Sequence, residues 1–180
     1  MNIANKLTVL RIVLIPVFLI FLLADYVPFG RHIAITIFVA ASVTDALDGY
    51  LARSRNLITN FGKFLDPVAD KLLVCAALIG LVELYILPAW VVIVIISRDF
   101  ILMTFRMLAS GNNVVIAADN VGKIKTIMQM AMIVYLMVGF STPTMIMLGN
   151  ALIGLVVILT IISAGNYIFK NLRVLDLGEI

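Results

Sequence analysis

Cysteine, histidine and tryptophan occur once each in 180 residues, and only 13% of the residues are charged. The lone Cys75 cannot close an intrachain bridge, so a disulfide-stapled secreted scaffold is excluded. So little charge beside so much apolar surface also excludes a disordered or fibrous chain. What the chain has is 63% hydrophobic residues and a mean hydropathy of +1.17. That is too apolar for a globule with an aqueous exterior, and it places the chain in lipid. The net charge of +3 could point to nucleic acid, but the basic residues stand singly between apolar runs, so no nucleic-acid partner is expected.

A bilayer core of about 30 Å needs about 20 apolar residues per helical crossing, and the sequence supplies six such stretches. They fall near residues 7–23, 32–51, 65–84, 88–109, 121–140 and 144–169, separated by turn-forming clusters such as Val27-Pro28-Phe29-Gly30 and Ser141-Thr142-Pro143. Six alternating crossings put twelve of the thirteen Lys and Arg residues on one side, with Arg31 opposite. By the positive-inside rule that side is the cytoplasm, and both termini lie there. The first run contains Pro16 and has no clear small-residue cleavage site, so it reads as a helix of the mature chain, not a signal peptide. Loops are short and no internal repeat is visible, which gives one domain over residues 1–180, all-α and built as an integral membrane bundle of six transmembrane helices. His32 and Trp90 fall on the far side and read as interface anchors.

Chemistry concentrates where the second span reaches the cytoplasm. Asp45 and Asp48 are spaced i,i+3, and beyond a short polar loop Asp66 and Asp70 are spaced i,i+4. Each pair projects from one helical face, and a short connection makes the two helices antiparallel neighbours. Four carboxylates at that depth need protons, basic partners or cations to neutralise them. With oxygen ligands and no cysteine or histidine nearby, a pair of hard divalent ions, Mg²⁺ or Mn²⁺, is expected, holding a phosphate or diphosphate. The plainer alternative is a solvated network with Arg53, Arg55, Lys63 and Lys71, which would leave Gly49, Ala52 and Gly62 without a purpose. As small residues they leave room for a flat ligand against the backbone.

Written out, the segment is Asp45-x2-Asp48-Gly49-x2-Ala52-Arg53-x8-Gly62-x3-Asp66-x3-Asp70. It resembles, at all eight positions, the signature of the CDP-alcohol phosphatidyltransferase family. Three further stretches extend the resemblance over nearly the whole chain: Asn5-x2-Thr8-x2-Arg11-Ile12; Ser97-Arg98-Asp99 with Arg106; and Gly122-Lys123-x-Lys125-Thr126-x2-Gln129. Ala4 departs from the proline often found before the asparagine, and this should alter only the lead-in to the first helix.

The resemblance is nearest to bacterial members that use glycerol 3-phosphate, and it implies the family's six-helix fold in the cell membrane, commonly as a homodimer. The implied substrates are CDP-diacylglycerol, taken from the membrane, and glycerol 3-phosphate, taken from the cytoplasm, where the active site lies. The implied products are phosphatidylglycerophosphate and CMP. By the same resemblance Asp45, Asp48, Asp66 and Asp70 hold the metals, and Asp70 is also the general base. Asn5, Thr8, Arg11, Asp48, Gly49, Ala52, Arg53, Gly62 and Asp66 would bind CDP-diacylglycerol. The acceptor's own phosphate needs cations apart from the metals, for which Arg98, Arg106, Lys123 and Lys125 are the candidates, each also able to serve as an ordinary positive-inside anchor.

Three rival readings share parts of this pattern. Another acceptor alcohol, such as serine or inositol phosphate, could use the same scaffold. A membrane prenyltransferase also grips a metal diphosphate between acidic helices, but the Gly49-x2-Ala52-Arg53 element belongs to the nucleotide-binding family. A divalent-cation transporter would need acids on the outer half, where only Asp25 and Glu83 stand.

Overall fold

A computed structural model of the chain describes residues 3–24, 26–54, 60–111 and 120–170. Within those stretches the side chains of residues 3–8, 45–54, 60–67, 70, 108–111, 168 and 170 lie outside the description. Among the described residues the chain is entirely helical: α1 (Ile3–Leu23), α2 (Gly30–Ser54), α3 (Asn60–Glu83), α4 (Ala89–Gly111), α5 (Asn120–Val138) and α6 (Pro143–Lys170). The helices coincide with the six apolar stretches but overrun most of their ends. Hydropathy detects the greasy part of a helix, whereas the hydrogen-bond ladder continues through polar residues. Thus α2 carries its helical backbone from position 45 to 54, and α3 starts at Asn60.

Two stretches, Asn120–Val138 and Pro143–Tyr167, are long and apolar enough to cross a membrane. Arg98, Asp99 and Arg106 interrupt the apolar run of α4, and among the described residues Val9–Leu23 of α1 and Gly30–Thr44 of α2 are shorter apolar helical stretches.

The chain divides into two compact units, residues 1–87 with 136–139, and residues 88–135 with 140–180. In the first, among the described residues, α1 packs along both α2 and α3, and α2 also touches α3. Its core is Phe18 and Leu22 of α1, Ala34, Phe38 and Ala41 of α2, and Ala69, Leu73, Ala77, Leu78 and Leu81 of α3. Alanines at these positions let the helices approach closely, and the rings of Phe18 and Phe38 fill the space with centroids 5.9 Å apart. In the second unit α4 packs on α6, and Val91, Ile95, Leu102, Met132, Ile133 and Val156 are buried.

Two helices, α3 and α5, leave their C-terminal ends through the left-handed region. The Tyr85 N–H donates to Val82 O (2.9 Å) and the Ile86 N–H to Leu81 O (3.0 Å), a Schellman closure of α3 with Tyr85 at φ 57 and its side chain 98% exposed. At the end of α5, Gly139 has φ 71, and a β-carbon there would lie 2.6 Å from Nη1 of Arg31. A side chain is strained at such φ by about 1–2 kcal/mol. Opposite effects are therefore expected: Tyr85→Gly raises the thermal midpoint of the detergent-purified protein by the equivalent of about 1 kcal/mol, and Gly139→Ala lowers it by at least as much. Midpoints that move in the same direction would contradict this account of the two turns.

Candidate active site

In the first unit the signature segment lies on two helices. Positions 45, 48, 49, 52 and 53 fall on α2, and positions 62, 66 and 70 on α3. The side chains of Asp45, Asp48, Gly49, Ala52, Arg53, Gly62, Asp66 and Asp70, and those of Asn5 and Thr8 on α1, lie outside the described residues. Positions 45 and 48 are nearly a turn apart on α2, and 66 and 70 about a turn apart on α3. Of the expected nucleotide-side residues, Arg11 on α1 is described, and it is buried. A guanidinium withdrawn from solvent differs from the exposed interfacial anchor that its place near the start of the chain also allowed. Among the described residues no group of three or more His, Cys, Asp or Glu side chains could hold a metal ion. The donor set expected to do so is the four aspartates of α2 and α3, all of them hard oxygen ligands.

In the second unit the expected acceptor-side cations are well described. Lys125 of α5 is fully buried, and its Nζ donates to Oδ1 of Asp99 on α4 at 2.6 Å. Arg98 donates from Nη1 to the same oxygen at 3.0 Å and from Nη2 to Oγ of Ser163 on α6. Neighbouring side chains on a helix diverge, so Arg98 reaches Asp99 by folding around α4, which only a long side chain can do. Gly122 of α5 makes room for it: a β-carbon there would stand 3.3 Å from Arg98 Nη2. Arg106, two turns further along α4, lies with Cζ 5.6 Å from the ring centroid of Tyr167 on α6. Lys123 is exposed and forms no ion pair among the described residues.

Arg98 and Lys125 are thus drawn together on one carboxylate, Arg106 is held by a ring, and Lys123 stands apart. Burying an ammonium is costly unless it is paired and hydrogen-bonded, and Asp99 supplies such a partner to Lys125. Asp99 was visible in the sequence as part of Ser97-Arg98-Asp99, but its role was not. Ser163 and Tyr167 were not picked out. A signal for them exists in Thr160-x2-Ser163-x3-Tyr167, a polar stripe at helical spacing in an otherwise apolar helix, and all three residues are buried.

A helical chain with this acidic signature on one pair of helices and a set of cations gathered about the buried Lys125–Asp99 pair on others matches a known group of enzymes. The sequence profile of the CDP-alcohol phosphatidyltransferases matches residues 1–162, and the chain belongs to that family. It is 43% identical over 183 residues to the CDP-diacylglycerol–glycerol-3-phosphate 3-phosphatidyltransferase of Bacillus subtilis (strain 168), covering 94% of this chain and 95% of the relative. It is 39% identical over 184 residues to a probable phosphatidylglycerophosphate synthase of Mycobacterium tuberculosis (strain H37Rv), covering 99% of this chain and 85% of that one. A third relative, the CDP-diacylglycerol–glycerol-3-phosphate 3-phosphatidyltransferase of Rickettsia bellii, is 36% identical over 171 residues, with 92% and 93% covered.

Removing one partner of a buried ion pair leaves the other charge uncompensated, at about 3–5 kcal/mol. Asp99→Ala is accordingly expected to lower the unfolding midpoint in detergent sharply. Adding Lys125→Met to Asp99→Ala should recover a substantial part of the loss, since methionine fills the lysine's space without its charge. A double variant no more stable than Asp99→Ala would show that the pair is not what holds Lys125 in place.

Proposed function

We propose that this enzyme transfers the phosphatidyl group of CDP-diacylglycerol to sn-glycerol 3-phosphate, forming phosphatidylglycerophosphate and CMP. The observation that carries the reading is the complete eight-position signature, Asp45 to Asp70, in a chain 43% identical across 94% of its length to a relative named for that reaction. The two other relatives described above are named for glycerol 3-phosphate or for phosphatidylglycerophosphate, which favours that acceptor over serine or inositol phosphate.

The enzyme works in the bacterial cell membrane as a six-span protein with both termini and the active site cytoplasmic. Supporting this are the positive charges gathered on one side and the large apolar side chains left exposed along the helices, among them Ile93, Ile127, Met147 and Ile161. The working unit is a homodimer, the state that the family resemblance implies.

Asp45, Asp48, Asp66 and Asp70 would hold a pair of divalent ions, Mg²⁺ or Mn²⁺. When bound, these supply Lewis-acid polarisation of the phosphoryl oxygens and charge to balance the departing CMP. Asn5, Thr8, Arg11, Gly49, Ala52, Arg53 and Gly62 bind the nucleotide lipid. Arg98, Arg106, Lys123 and Lys125 supply positive charge for the phosphate of the acceptor. Asp70 takes the proton of the glycerol primary hydroxyl as its oxygen bonds to the lipid-side phosphorus. The bond from that phosphorus to the bridging oxygen breaks, and CMP leaves with the electron pair.

In mixed micelles of detergent and CDP-diacylglycerol, CMP release and phosphatidylglycerophosphate formation are expected with glycerol 3-phosphate, and at least about tenfold slower with serine or inositol phosphate. Chelation should abolish both, and excess Mg²⁺ or Mn²⁺ should restore them. Asp70→Asn is expected to lower turnover by about 10²–10⁴-fold while CDP-diacylglycerol still binds. Preference for another acceptor, or turnover indifferent to chelation, would overturn the reading.

A further inference from the structure

Among the helices, α6 has few charges and presents most of its large apolar residues outward, yet one narrow stripe of it is buried and polar. Val156, Thr160, Ser163 and Tyr167 follow one another at spacings of four, three and four and are all buried. Thr160 is spent on its own helix, donating to Val156 O at 2.6 Å. The two polar residues beyond it reach across to α4, and each meets an arginine. Ser163 accepts from Nη2 of Arg98, and the Tyr167 ring lies against the guanidinium of Arg106.

The two contacts form successive rungs. Arg98 and Arg106 are about 12 Å apart along α4, and Ser163 and Tyr167 about 6 Å apart along α6. The long arginine side chains take up the difference. Both rungs leave donors available. A ring contact takes up no N–H donor as a hydrogen bond would, and Arg106 is exposed and forms no ion pair among the described residues. In Arg98, Nε is buried and has no hydrogen-bond partner among the described residues, although Nη1 and Nη2 are both engaged.

We infer that Ser163 and Tyr167 are positioning residues that aim the guanidinium groups of Arg98 and Arg106 at the acceptor's phosphate. This rests on the acceptor reading proposed above. An unrestrained arginine loses considerable rotamer freedom when it grips an anion. One already held by a hydroxyl or a ring has lost that freedom beforehand, and the affinity gained is specific to the anion it faces. The helix otherwise given over to apolar packing thereby sets the affinity for the small charged substrate.

The test is a steady-state comparison in mixed micelles, with inorganic phosphate as a competitive probe. Tyr167→Leu is expected to raise the KM for glycerol 3-phosphate and the Ki of inorganic phosphate together, by about three- to thirtyfold. The KM for CDP-diacylglycerol and kcat should stay within about twofold. Tyr167→Phe keeps the ring and should restore the wild-type values. Ser163→Ala should raise the same two constants about tenfold or more. Should Tyr167→Leu not yield monodisperse protein, Tyr167→Met gives the same comparison with more of the volume kept. Equal damage from Tyr167→Phe and Tyr167→Leu, a joint rise in the KM of both substrates, or an unchanged KM for glycerol 3-phosphate would each overturn the inference. A wild-type enzyme that releases CMP with a different acceptor and ignores glycerol 3-phosphate would overturn the acceptor reading and this inference with it. A wild type that uses glycerol 3-phosphate, with variants that leave its KM flat, overturns this inference alone.

Discussion

The ammonium of Lys125, with no exposed surface and 2.6 Å from a carboxylate oxygen of Asp99, is the contact on which the second unit depends. An ammonium in that position without a counter-charge would carry the full cost of its lost hydration. With Asp99 in place it joins α5 to α4, and the same oxygen of Asp99 also takes Arg98, which continues to Ser163 on α6. Three helices are thus tied through one carboxylate. Paired buried charges are seldom an efficient source of stability compared with apolar packing. Their retention here fits a site whose use for charge outweighs that cost.

On the proposed function the two substrates present two kinds of anion, which the chain would meet by different means. A diphosphate bridge that must be cleaved calls for charge that strengthens as the leaving group departs, which carboxylate-held divalent ions supply at short range. The phosphate of the acceptor is a spectator that must be bound without being activated. Guanidinium and ammonium groups held by Asp99, Ser163 and Tyr167 suit that task, because fixed donors bind an oxyanion without polarising its phosphorus as a metal would.

The helices were legible because apolar runs of the necessary length leave little else for the chain to do, and the errors lie at their ends. The first helix starts at Ile3 and not near residue 7, and the second runs to Ser54 and not to 51, because polar residues extend a helix that hydropathy has already dismissed. The acidic signature was legible because four residues of one type stand at fixed helical spacing. Arg98, Arg106, Lys123 and Lys125 were legible as cations but not as a set with unequal members. Nothing in the sequence says that Lys125 is buried on Asp99 while Lys123, two residues earlier, is exposed. That difference follows from the 200° rotation between them, and from which side of α5 meets α4. Ser163 and Tyr167 escaped notice for a related reason. A serine and a tyrosine in an apolar helix acquire meaning only when packing brings the two arginines beside them. The place of α1, lying along both α2 and α3, was likewise set by packing that no motif announces.

In the proposed function acceptor phosphate is held by side-chain cations and nucleotide diphosphate by carboxylate-bound metal. Equilibrium binding of each substrate to the purified protein, with and without divalent ions, tests it most directly. Chelation should abolish CDP-diacylglycerol binding and leave the Kd for glycerol 3-phosphate within about twofold. Loss of glycerol 3-phosphate binding on chelation, or retention of the nucleotide lipid, would contradict that division of labour.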